Sequence, residues 1–305
     1  MKQIPPVPKL RRALRLGLVR ALGAKAALGL AGPAASEQAA LRLRLAGKGR
    51  ALPAPERVRF ILPLVAPHHV QNWPEIQARL SATLQSFLNQ SDPRWEAVIC
   101  SQTMPDLPDD PRIRFLPFTD QVDGNDKWQK QGALCRDLRD TPMPSGYVMP
   151  FDADDLLHRD AVAEMLTRQD PGGYLCVRGY VNDFASNCIG VTGPQTLTKL
   201  RRKPFWKLCG SCAAIRYTPD LPEAAQFLEA MTAHEHRMFP YLAKLAGLPL
   251  TPFRTPAVMY ILNHGENFTA RLNQLSSRSR FAERFPLTDK DEMNSLRDVF
   301  PTLAP

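Results

Sequence analysis

The stretch Tyr147-Val148-Met149-Pro150-Phe151-Asp152-Ala153-Asp154-Asp155 decides the fold: five uncharged residues of strand character run directly into three carboxylates. Three Asp in four positions repel one another and raise one another's pKa. A divalent cation removes that penalty, and hard carboxylate oxygens suit Mg2+ or Mn2+. Such ions keep several waters and complete their shell with substrate phosphates, so the turn calls for a phosphate-bearing ligand. The metal ligands read from the turn are Asp152 and Asp154, while Asp155 suits the N-cap of the helix that follows. Leu156 and Leu157 exclude an EF-hand, whose loop needs an oxygen ligand and Gly at those positions. A glycosidase needs its two carboxyl groups about 5–10 Å apart across a sugar, which neighbours at i and i+2 do not suit.

Outward from this turn, apolar strands alternate with helices. Val58 to Leu62 reads as a strand ending at Pro63. Pro74 opens a helix to about Gln90, with Ile76, Leu80, Leu84, Phe87 and Leu88 on one stripe. Trp95–Cys100 and Ile113–Phe118 read as strands, 126–139 and 159–169 as helices. Leu208–Arg216 is a further strand, and 234–246 a helix. This order predicts an α/β fold with a doubly wound, mostly parallel sheet flanked by helices. Ligands in such sheets bind beyond the carboxyl ends of the strands, where the acidic turn sits. The expected division is a basic N-terminal helical extension and linker over 1–55, a catalytic body over 56–268 and a C-terminal helical tail over 269–305.

The charge of +9 is concentrated at one end. Residues 1–50 hold eleven Lys or Arg and one acid, Glu37, so the other 255 residues sum to about −1. A helix is expected over 8–31, broken by Gly32-Pro33, with a linker from there to Pro55. The basic segment suits an anionic membrane surface rather than nucleic acid. No apolar run reaches the length of a membrane span, and Arg interrupts the N-terminal apolar residues every few positions. Six scattered cysteines read as reduced thiols, which places the chain in the cytoplasm, peripheral at the inner face of the membrane. Cys209-Gly210-Ser211-Cys212 is a single CxxC without the second pair that a zinc finger needs.

The strand end Tyr147–Asp155 resembles the DxD segment of family-2-like glycosyltransferases with a GT-A fold. Phe60-Ile61-Leu62-Pro63-Leu64-Val65 is similar to the family's first strand and proline loop. Ala82–Gln90 followed by Trp95-Glu96 is similar to its second element. Asn125-Asp126-Lys127 resembles a segment on the nucleotide side, and Tyr260-Ile261-Leu262-Asn263-His264-Gly265-Glu266-Asn267 its closing strand. The resemblance implies a nucleotide-diphosphate-sugar donor contacted by Pro63, Val65, Lys127 and Asp152. It also implies a Mn2+ or Mg2+ ion on Asp152, Asp154 and His264, and inverting transfer to a hydroxyl of a glycan, lipid-linked or other acceptor. Two departures stand out. Ser101-Gln102 occupies the place of the family's base-reading Asp, and its acceptor-side Glu-Asp pair is missing. Glu235, flanked by His234 and His236 at an expected helix start, is the candidate catalytic base. Met238 rules out a His-Glu-x-x-His zinc motif.

Two rivals follow from the same residues. A sugar nucleotidyltransferase calls for a Gly-rich loop after the first strand, and Leu64-Val65-Ala66-Pro67 offers none. A non-catalytic protein would bind anionic lipid or nucleic acid wholly through residues 1–50, its GT-A-like domain having lost metal and nucleotide.

Overall fold

The computed structural model describes residues 3–30, 32–120, 122, 124–184, 186–262 and 275–302 of the chain. Its centre is a seven-stranded sheet in the order β10-β6-β9-β4-β1-β2-β3. The strands are β1 (Arg57–Pro63), β2 (Trp95–Ser101), β3 (Ile113–Pro117), β4 (Gly146–Pro150), β6 (Gly173–Leu175), β9 (Ala213–Tyr217) and β10 (Thr251–Pro252). Six run in one direction and β9 opposes them. The fold is thus mixed α/β with a mostly parallel central sheet flanked by helices. Strands β1, β2 and β4 are covered on both faces, which is why they are apolar-rich; the charged Arg59 of β1 and Glu96 of β2 pair with each other at 2.7 Å.

Helices α3 (Trp73–Leu88), α4 (Lys127–Asp140), α5 (Ala161–Arg168) and α6 (Pro222–Thr232) surround this sheet, and α7 (Phe239–Leu245) lies beyond α6. Phe60 of β1 stacks on Phe87 of α3 at 4.2 Å, and Phe151 meets both edge-on at 5.9 and 5.2 Å. This aromatic cluster fixes the chain one residue before the acidic turn. A smaller four-stranded sheet, β5-β11-β7-β8, lies beside the turn, with β5 (Leu156–Leu157), β11 (Val258–Leu262), β7 (Tyr180–Asp183) and β8 (Cys188–Val191). The C-terminal helices α8 (Leu275–Arg284) and α9 (Lys290–Val299) close over it: Tyr180 Oη donates to Glu292 Oε1 and Leu287 N to Ile189 O.

Three expectations need correction. The stretch 35–46, read as linker, is a helix, α2 (Ala35–Ala46), started by Glu37 accepting from the Ala34 amide. It packs with α1 (Lys9–Gly29) onto α6 and α7, burying Ala40, Leu41 and Leu43. The basic N-terminal segment is therefore docked on the body. The strand expected over 208–216 is confined to β9, because Pro204 and Gly210 turn the preceding chain into a 3-10 turn and a loop. The helix expected over 234–246 is interrupted: Glu235 precedes a 3-10 turn at His236–Met238, and α7 starts only at Phe239, with Pro240 in its first turn.

Candidate active site

The carboxyl ends of β1, β2 and β4 carry the residues that matter. Leaving β4, the chain turns through Asp152 to Asp155, closed by Asp155 N donating to Asp152 O at 3.3 Å. The expectation that Asp155 caps the next helix is not met. That cap position falls to Asp160, and Asp155 is fully buried. Its Oδ2 accepts from Ser211 Oγ at 2.6 Å and from the Cys209 thiol at 3.0 Å. Ser211 Oγ in turn accepts from Asp152 N at 2.8 Å, so one hydroxyl ties both Asp residues to the loop before β9. Gly210 lies between these partners, where a Cβ would stand 3.0 Å from Asp152 Oδ2.

Polar residues on α3 and just past its end grip the far side of the turn. Thr83 Oγ1 donates to Asp155 O, Ser86 Oγ accepts from Leu157 N, and Gln90 bonds His158 O and Val162 N. The turn is thus held by side chains from two directions, the kind of support that keeps a reactive group in place.

The electrostatics follow from this burial. Desolvation pushes the Asp155 carboxyl well above the usual carboxylate range, and the charges of Asp154 and Asp152 add to it. Asp152 is half-buried, and its Oδ1 accepts from Lys127 Nζ at 2.5 Å. Burial pulls the Lys127 ammonium down, but Asp152 and then Asp154 outweigh it, so its pKa is raised. Lys127 thereby lies at the turn.

The remaining sequence candidates fall at several distances from this centre. Pro63 ends β1 opposite Cys100 of β2, and Val65 is half-buried in the loop that follows. Asp154 is half-buried on the turn itself, and its charge acts on both Lys127 and Asp155. His264 lies outside the described residues. Glu235 is half-buried before its 3-10 turn. That turn packs against the segment leading to Cys209, where Arg237 Nε donates to Lys207 O at 3.3 Å. The ring of His234 is buried between Ser36 Oγ, at 2.7 Å, and Ile4 O, at 3.1 Å. It serves to anchor the N-terminal segment.

A second polar cluster escaped the sequence reading. Lys130 of α4 is fully buried; its Nζ pairs with Asp126 Oδ2 at 2.8 Å and donates to Leu64 O at 2.5 Å. Gln102, at the end of β2, donates to Asp126 Oδ2 at 2.7 Å. The pair places the Asp126 carboxylate beside the end of β2. The i, i+4 spacing of Asp126 and Lys130 was the available signal.

Among the described residues, Asp152, Asp155 and Cys209 bring one donor atom each within 4.8 Å of one another, a group that could hold a metal ion. Asp155 Oδ1 is buried with no hydrogen-bond partner, as a ligand atom awaiting a cation would be. Burial, with Asp155 and Asp152 nearby, keeps the Cys209 thiol protonated and donating, so it positions Asp155 rather than acting as a thiolate. The donor set therefore fits a hard, oxygen-seeking ion better than a soft one.

No protein-family model matches the chain, and no curated protein matches it. Among solved structures, a 4-diphosphocytidyl-2C-methyl-D-erythritol synthase is similar over 75% of this chain and 99% of its own. The two are 13% identical with a TM-score of 0.34, a likeness too slight to bear on function.

Proposed function

We propose that the chain is a nucleotide-sugar-dependent glycosyltransferase of GT-A-like architecture, moving a sugar from a nucleoside-diphosphate carrier to an acceptor hydroxyl with inversion. The observation that carries this reading is the acidic turn at the carboxyl end of β4, where Asp152 and the buried Asp155 converge beside Lys127. Mg2+ or Mn2+ bound there through Asp152 with Asp154 or Asp155 would stabilise the charge that develops on the leaving diphosphate. Lys127 offers a second positive charge on the same side. Lys130 pins the Leu64 carbonyl and so fixes the backbone between Pro63 and Val65, against which a nucleotide would lie. The Gln102–Asp126 pair supplies a carboxylate at the end of β2, suited to a base edge. Glu235 takes the proton of the acceptor hydroxyl as its oxygen bonds to the anomeric carbon and the diphosphate departs.

The test is substitution without loss of shape. Asp154→Asn is expected to abolish donor hydrolysis and transfer with the fold intact, and Asp152→Asn to act similarly but less severely. Metal-dependent turnover that survives in both variants refutes the assignment. The Lys127–Asp152 pair favours a second form of the same reading, in which Lys127 supplies the charge and no metal is needed. Turnover that persists in excess chelator and is lost in Lys127→Met distinguishes that form.

A further inference from the structure

Helix α1 buries Val19, Ala24 and Ala27 against the body and also presents a second, exposed apolar face. Two of its four arginines, Arg12 and Arg15, turn inward. Arg15 is buried; its guanidinium donates to Ala27 O and Leu30 O and lies 3.7 Å from Glu37. Arg12 donates to Val7 O and sits over the Tyr241 ring at 5.8 Å. Leu16, Leu18 and Leu28 pack against the core, whereas two leucines near the start of α1 turn outward: Leu10 is 72% exposed and Leu14 64%. At 100° per residue, Leu10, Leu14, Gly17 and Ala21 fall within a sector of about 60°, all exposed and separated by no charge. Arg11 stands on one side of that sector, with Lys9 and Arg20 on the other, and all three are exposed. Gly23, at φ 84°, breaks the helix just beyond.

We propose that this face of α1 is a membrane-docking surface whose partner is an anionic phospholipid bilayer. Two exposed leucines on a smooth stripe give apolar insertion at the headgroup boundary. Cations on both flanks, with long apolar stems, reach lipid phosphates without entering the hydrocarbon. Charge complementarity selects the partner. Residues 1–50, which bear α1, carry a net charge of +10 against +9 for the whole chain, and the cleft of about 840 Å3 beneath the end of α1 continues the same field. Lys25, Arg44, Lys48 and Arg50 line that cleft, and no carboxylate does. A second copy of the chain would present the same cations to one another. Among the described residues no helix is long and apolar enough to cross a membrane, so attachment is by lying on the surface. The inference stands on α1 alone and does not depend on the catalytic reading.

The experiment is co-sedimentation of the full chain with vesicles of phosphatidylcholine alone, or of phosphatidylcholine mixed with phosphatidylglycerol. Binding is expected to the mixed vesicles only and to weaken as salt rises. Leu10→Gln/Leu14→Gln should lower the partition coefficient about tenfold or more, because both leucines leave water on docking. Arg11→Gln/Arg20→Gln should lower it less and flatten the salt dependence. Both pairs are solvent-exposed, so the thermal midpoint should stay at the wild-type value. Equal binding to the two vesicle types overturns the proposal, as does undiminished binding by the leucine variant. Sedimentation equilibrium that shows a dimer dissolved by the leucine variant overturns it in favour of self-association.

Discussion

Lys130→Met tests the platform under the site. The native ammonium is fully buried, paired with Asp126 at 2.8 Å, bonded to the Leu64 carbonyl and 5.8 Å from the Phe118 ring centroid. Methionine fills most of the volume and removes the charge. Asp126, 3% exposed, is then left with the neutral Gln102 amide alone. Stranding a buried charge in this way costs about 3–5 kcal/mol. The double variant Lys130→Met/Asp126→Asn removes both charges and keeps an oxygen for Gln102. It should recover most of that loss, leaving about 1–2 kcal/mol for the Leu64 bond. Denaturant unfolding of wild type, both single variants and the double variant gives a cycle whose coupling should exceed about 2 kcal/mol. A Lys130→Met loss below about 1 kcal/mol, or additive single changes, would show that the pair does not hold the loops after β1 and β2.

Three further outcomes follow. Ser211→Ala removes the hydroxyl shared by Asp152 and Asp155 and should cost about 2 kcal/mol in unfolding free energy, with weakened metal-dependent nucleotide binding; unchanged affinity would detach Ser211 from the site. Glu235→Gln keeps shape and should lower kcat strongly with donor Kd nearly constant; loss of donor binding would make Glu235 a structural or donor-side residue. Burial lowers the pKa of His234 and of His158, so the unfolded chain takes up those protons first. The stability each contributes is complete above about pH 6.5 and falls below it by at most about 1.4 kcal/mol per pH unit. A thermal midpoint that does not drop between pH 7 and pH 5 contradicts this.

The central strands were legible in the sequence because a parallel strand covered on both faces carries no polar alternation, and β1, β2 and β4 are so covered. The acidic turn was legible because three carboxylates within four residues after such a strand have few uses. What held the turn was not. Cys209 and Ser211 reach Asp155 across more than fifty residues, and no local pattern encodes that contact. On α3 the apolar stripe stood out, whereas Thr83, Ser86 and, just past the helix end, Gln90, at i, i+3 and i+7, were an equally regular signal of a buried polar grip. Helix α2 was hidden by Leu41, Leu43 and Leu45, whose spacing of two does not mark a helical face. The arginines of α1 do not share one face, because Arg12 and Arg15 hold the fold while Arg11 and Arg20 face outward.

The central claim is that the turn after β4 binds a nucleoside diphosphate through a divalent cation. Isothermal titration of UDP, GDP and dTDP into the full chain, with Mn2+ and with chelator, tests it most directly. The account predicts saturable binding of at least one of the three, strengthened by Mn2+ and lost in Asp152→Asn. Absence of binding by all three, or binding that neither Mn2+ nor Asp152→Asn alters, would contradict it.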